Sequence, residues 1–181
     1  TRDYLLSRES DLIVNVLDAG NLERNLYLSV QLLEMGVPIV VALNMMVVAR
    51  KRGIQIDSGQ LSAALGCPVV PVVAVTKEGL TELQARLLAV AEGREPAGLA
   101  LAHGECVEEA VADLLPLLTA IQDHANARWL ALKLLESDLI AEQTAPPEAL
   151  ERLEQCRRRI AERTGEDADL HIADTRFGHA H

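Results

Sequence analysis

Aromatic side chains are almost missing from this 181-residue chain, in which one Trp, two Tyr and one Phe make up 2% of the residues. Antiparallel sandwiches and barrels draw on aromatics for their cores, and single-stranded nucleic acid is held by stacking on them, so both classes are disfavoured. Basic charge is scarce as well. Seventeen Lys and Arg stand against 27 Asp and Glu, a formal net charge of −10. No broad cationic face is available for a phosphate backbone, so a nucleic-acid partner is not expected. Cysteine is limited to Cys67, Cys106 and Cys156, widely spaced and without a C-x-x-C pair, which argues against a structural zinc site or a disulfide framework. They read as reduced thiols packed as small apolar groups. No apolar run reaches the roughly 18–20 residues of a membrane span, and no signal peptide is expected from the pattern of these residues. The chain starts with Thr inside an apparent helical pattern, so it is expected to be a piece of something longer.

What the chain does have is aliphatic residues. Hydrophobic types make up 49% of it and mean hydropathy is +0.12, enough for a sizeable core of Leu, Val, Ile and Ala. The first ninety residues alternate strand and helix. Asp11 to Asp18 is a short β-branched run, and Asn21 reads as the N-cap of a helix through Glu34 whose apolar face is Leu22, Leu26, Leu28, Leu32 and Leu33. Gly36 and Pro38 end that helix, and Val37 to Leu43 is apolar without alternation, as in a strand covered on both faces. Asp57 with Gln60 is spaced as a capping box for a helix ending before Gly66. Pro68 to Val75 follows as a third buried strand, and Thr81 with Gln84 as a further capping box opening a helix to about Glu92. This order implies an α/β fold with a parallel sheet and flanking helices.

The pattern changes after Gly93. Arg94 to Leu99 has linker composition, and from Gly104 onward only helical periodicity is visible. Val107, Val111, Leu114, Leu115, Leu118 and Ile121 fall on one face; Trp129 to Leu135 forms a second helix, with Trp129 as a core anchor. Pro146 and Pro147 open a third helix ending at Gly165, and a last segment runs from Ala168 to His181. Two domains are therefore expected, residues 1–93 and a small all-α domain over 94–181. The first carries 8 basic and 10 acidic side chains and the second 9 and 17, so the acidity belongs to the helical half.

In a parallel α/β sheet, ligands sit at the carboxyl ends of the strands. The second strand ends in Asn44-Met45-Met46-Val47 and the third in Ala74-Val75-Thr76-Lys77. An Asn amide both donates and accepts, as a purine edge requires, and a small residue such as Ala74 lets backbone N–H groups approach a base carbonyl. The run DLIVNVLDAGNLERNLYLSVQLLEMGVPIVVALNMM, followed by VARKRGIQID and LGCPVVPVVA, resembles the cytosolic GTPase region of the FeoB family of bacterial ferrous-iron transporters. The likeness is nearly continuous from Asp3 to Leu83, and the later stretch ending in Ile172-Ala173-Asp174-Thr175-Arg176-Phe177-Gly178 resembles that family's helical domain.

The resemblance implies part of a P-loop-GTPase-like sheet followed by a domain like a nucleotide-dissociation inhibitor. It further implies GTP or GDP with Mg²⁺ as ligands, a following membrane region as partner, and a place on the cytoplasmic face of the bacterial inner membrane. A homo-oligomer is left open. Asn44 matches the Asn of the guanine-specificity motif, Met45 the position that is Lys in most small GTPases, and Ala74, Val75 and Thr76 the loop covering the base. Val47 stands where the motif has Asp, whose carboxylate accepts from the guanine N1–H and amine. Losing such a charge-assisted pair costs about 2–4 kcal/mol and removes discrimination against adenine. The chain also contains no G-x-x-x-x-G-K-S/T phosphate loop and no D-x-x-G. By itself it is therefore expected neither to bind GTP tightly nor to hydrolyse it, the alternative role being a nucleotide-independent helical interaction module.

Other groupings are weaker. Glu105 with Glu108 and Glu151 with Glu154 are i,i+3 carboxylates able to face one Fe²⁺, but read first as solvated acidic faces. His179 and His181 form an H-x-H tail. Arg157, Arg158 and Arg159, with Arg152 and Arg163, read as a solvated face, with anionic headgroups as the alternative partner.

Overall fold

Ile39–Asn44 is the strand around which the first part of the molecule is built. In the computed structural model its five apolar residues, Ile39 to Leu43, are all buried, as a strand covered on both faces requires. The structure describes residues 12–96, 98, 101–121 and 124–180, and it divides into two compact units, one reaching Leu101 and the other starting at Ala102.

In the first unit β1 (Ile13–Asp18), β2 (Ile39–Asn44) and β3 (Val69–Pro71) form a parallel sheet in that order. Ile13 pairs with Ile39 and Asp18 with Asn44; Val41 pairs with Val69 and Leu43 with Pro71. On β1 the alternation is strict: Asn15 and Leu17 are buried while Val14 and Val16 are exposed on the opposite face. The buried Asn15 is satisfied by α1 (Leu22–Glu34), its Nδ2 donating to Ser29 Oγ at 2.8 Å, and that hydroxyl donating to the Asn25 carbonyl at 2.9 Å.

Two expectations for α1 fail. Asn21 makes no side-chain cap; a tight 3₁₀ turn over Ala19–Asn21 brings the Asp18 carboxylate to the Gly20 N–H at 2.8 Å, and Asn21 donates to Asp18 instead. Leu28 is exposed, and Val30 and Ser29 take the buried positions beside Leu26. The end of the helix is as expected, with Gly36 at φ 70° donating to the Leu33 carbonyl.

A six-residue helix, α2 (Met46–Lys51), follows β2 directly and went unread in the sequence. At α3 (Ser58–Leu65), Asp57 caps as expected, accepting from Gly59 and Gln60 N–H at 2.8 and 3.0 Å. β3 stops at Pro71, well short of Val75. Val72 still donates to Leu43, but Val73 then closes an antiparallel bridge with Glu78, and residues 74–77 turn away from the sheet. α4 (Leu80–Ala91) is opened by Gly79 at φ 80° rather than by Thr81, which lies inside its first turn.

Among the described residues the second unit is entirely helical: α5 (Glu105–Leu118), α6 (His124–Leu135), α7 (Leu139–Thr144), α8 (Pro147–Thr164) and α9 (Ala168–Ala180). α6 is its centre. Ala127, Trp129, Leu130, Ala131, Leu132, Leu134 and Leu135 are all buried, so the helix is enclosed on nearly every side. α5 and α8 are two-faced: α5 buries Val107, Ala110, Val111, Leu114 and Leu118, and α8 buries Ala149, Leu153, Cys156 and Ile160. Ile121 lies beyond the end of α5 and is exposed, contrary to the sequence stripe. The short α7, capped by Asp138, was also unread.

Candidate functional site

The carboxyl edge of the sheet carries the residues singled out by sequence. Asn44 is the last residue of β2, and its Oδ1 accepts from the Met45 N–H at 2.8 Å, leaving the amide Nδ2 as a donor. Met45 adopts φ 63°, a left-handed conformation rare for a side chain of its size, and this sharp corner starts α2 with Val47 in its first turn. Met45 is exposed and Val47 is 53% exposed. On the adjoining strand, Ala74, Val75 and Thr76 form the exposed turn beyond Val73, with Val75 95% exposed. Thr76 N–H returns to the Val73 carbonyl at 3.1 Å and Lys77 takes φ 62°, closing the turn.

Because β2 and β3 are direct neighbours in register, both sets of residues leave the same edge of the sheet from adjacent strands. The edge offers one amide, backbone N–H groups of an exposed turn, and three exposed apolar side chains. That composition suits a flat heterocycle with a hydrogen-bonding edge. It lacks a carboxylate at Val47.

Gly79 sets this turn, a signal the sequence reading missed. A Cβ there would meet the Pro71 carbonyl oxygen at 2.2 Å, and φ is positive. Gly79→Ala is therefore expected to destabilise the first unit by about 2 kcal/mol or more and to displace residues 74–77. Thermal unfolding by circular dichroism measures the first effect, and amide chemical shifts of residues 74–77 measure the second.

Of the paired carboxylates, Glu105, Glu151 and Glu154 are exposed, as in a solvated acidic face, whereas Glu108 is engaged by its neighbours. Glu108 accepts both Arg128 Nη atoms at 2.8 Å and the His103 N–H at 2.8 Å; burial would raise its pKa, but these bonds outweigh it and hold the carboxyl below its usual range. Glu105 lies 3.8 Å from Arg163, and Glu154 bonds Arg157 at 3.2 Å. Among the described residues no three His, Cys, Asp or Glu side chains group as metal ligands. His181 lies outside the described residues, as does the side chain of His179.

The arginine run is a partly exposed face, as expected, but most of its cations are also paired. Arg157 reaches Glu142 on α7 at 2.7 Å and the Leu134 carbonyl on α6, Arg159 and Arg152 converge on Asp113 of α5 at 2.8 and 3.1 Å, and Arg163 pairs with Glu109. These cations tie α8 to its neighbours. Arg158 is exposed. Cys67 and Cys156 are buried, and burial pushes the Cys67 thiol up to about 11, away from reactive thiolate.

Residues 1–87 match the family described as "Ferrous iron transport protein B", and residues 103–181 match "FeoB cytosolic helical domain". The chain belongs to the FeoB family. It is 39% identical over 182 residues to the Fe(2+) transporter FeoB of Salmonella typhimurium and 40% identical over 175 residues to that of Escherichia coli. In both cases the match takes in 96% of this chain and 22% of the relative, so the chain spans about a fifth of the length of these FeoB transporters. Among solved structures, mGMPPNP-bound NFeoB from S. thermophilus superposes with a TM-score of 0.90 at 33% identity, covering 99% of this chain and 68% of that one. NFeoB from S. thermophilus bound to GDP·AlF4⁻ and K⁺ gives 0.90 at 33%, covering 99% and 70%. The three-stranded sheet with its helices is thus part of an FeoB G domain, and the second unit is the FeoB helical domain. Among the described residues no helix is long and apolar enough to cross a membrane.

Proposed function

We propose that this chain forms the base-recognition part of the G domain (residues 1–93) and the adjoining helical domain (94–181) of a GTP-dependent regulator of ferrous-iron transport. It would act at the cytoplasmic face of the bacterial inner membrane, with the membrane region of the transporter as its partner. The observation that carries this reading is the convergence of Asn44 and the Ala74–Thr76 turn on one sheet edge, in a fold whose solved relatives hold guanine nucleotides. In this reading Asn44 donates to the base, Met45 and Val75 line its faces, and the turn at Ala74, Val75 and Thr76 offers N–H groups to a base carbonyl.

The base fits the residues present, whereas phosphate and Mg²⁺ do not. None of the three lysines follows a glycine, no D-x-x-G occurs, and the only side-chain oxygens among the candidate residues are those of Asn44 and Thr76. No chemical step is assigned to these residues.

The departure at Val47 supports the alternative of a nucleotide-independent interaction module. Nucleotide competition with the full-length protein separates the two. Val47→Asp restores an acceptor worth about 2–4 kcal/mol, roughly 30- to 1000-fold, so it is expected to raise the preference for GDP over ADP by that factor. An unchanged ratio would mean that residue 47 does not face the base; absence of any nucleotide binding would favour the interaction module.

A further inference from the structure

α9 is seated differently from the other long helices of its unit. Among its described side chains only Ala168, Ile172 and Arg176 are buried, a single row at four-residue spacing with one large apolar member. α5 and α8 each bury a broader face, containing at least two large aliphatic side chains. The third member of the α9 row, Arg176, is 1% exposed and is the largest fully buried side chain among the described residues. Its guanidinium forks onto Glu136, with Nη2 donating to Oε2 at 3.0 Å and Nη1 donating to Oε1. Glu136 stands one residue past α6 and also accepts from Lys133 Nζ at 2.7 Å.

A buried ion pair of this kind gives little net stability while intact, because desolvation offsets the attraction, but removing one partner leaves an uncompensated buried charge. The buried apolar attachment of α9 is therefore thin, and the Arg176–Glu136 charge pair stands at the centre of its seating beside the packing of His171 against Gly104. The entry to the helix is permissive too: Gly165 turns the chain at φ 76° with nothing within 4 Å of an added Cβ, and Glu166 and Asp167 are exposed. By contrast α8 is fastened to α5, α6 and α7 by several arginines.

We propose that α9 is a releasable helix, latched onto the end of α6 by Arg176 and Glu136, which undocks about Gly165 while α5, α6 and α8 remain packed. The device gives the helical domain two states differing in the seating of its last described helix. It does not depend on the nucleotide reading.

Hydrogen exchange with mass-spectrometric readout of the 181-residue chain tests this. In the unmodified protein, amides over residues 172–178 are expected to exchange at least tenfold faster than those of the α5 and α8 cores, with a weaker dependence on added denaturant. Glu136→Gln keeps the shape and removes the charge. It is expected to speed exchange over 172–178 by a further tenfold or more, with α5 and α8 within twofold of their original rates. Exchange of α9 only in step with α5 and α8 in the unmodified protein overturns the proposal. So does a Glu136→Gln variant in which α9 is unchanged, or in which all the helices accelerate together.

Discussion

Titrated with GDP or a non-hydrolysable GTP analogue, the 181-residue chain is expected to show no saturable binding in the micromolar range. A micromolar Kd corresponds to about −8 kcal/mol. Against this the sheet edge offers the Asn44 amide, a few N–H groups of the 74–76 turn, and contact with Met45, Val47 and Val75. Each such hydrogen bond contributes about 0.5–1.5 kcal/mol net, and binding must first overcome the loss of translational and rotational freedom. Tight binding needs the phosphates, whose cradle, lysine and Mg²⁺ ligands have no motif in this chain. Isothermal titration calorimetry is the direct measurement. A micromolar constant would show that a phosphate site exists outside every recognised motif, and the assignment of a base-only site would fall.

Where a local pattern was also the global constraint, the sequence was readable. β2 is apolar in consecutive positions because both its faces are covered, and Asp57, Gly36 and Gly165 mark helix ends through their own short-range geometry. The tip of β2 was equally visible, since Asn44 falls where an apolar run meets a corner. Reading failed where a neighbour in space outranked a neighbour in sequence. Thr81 and Gln84 have capping-box spacing, but the approach of Gly79 to the Pro71 carbonyl starts the helix earlier. Pro71 ends β3 within a run that is otherwise β-forming through Val75, because the chain prefers to close on Glu78. The arginines of α8 have the composition of a solvated face, and only the placement of α5, α6 and α7 reveals their carboxylate and carbonyl partners. Arg176 carries no local sign of its place, since nothing in the neighbouring sequence distinguishes an arginine that becomes fully buried.

The α5 stripe supplies the sharpest contrast between what periodicity suggests and what packing decides. Leu114 and Ile121 sit seven residues apart on the same nominal helical face, yet Leu114 is 0% exposed and Ile121, past the helix end, is 50% exposed. Leu114→Ala is expected to cost about 2–5 kcal/mol, through lost burial and the cavity left in the core. Ile121→Ala is expected to stay within about 0.5 kcal/mol. Trp129 is the single tryptophan of the chain and is buried in α6, so its fluorescence follows unfolding of the second unit without interference from the first. With a urea slope of about 1–3 kcal/mol per molar, the Leu114 change lowers the unfolding midpoint by about 1 M or more, while the Ile121 change leaves it nearly fixed. Equal losses at the two positions would mean that Ile121 is packed, and that the helical stripe extends past Leu118 after all. The pair therefore tests the boundary of α5 by its energetics, independently of any ligand.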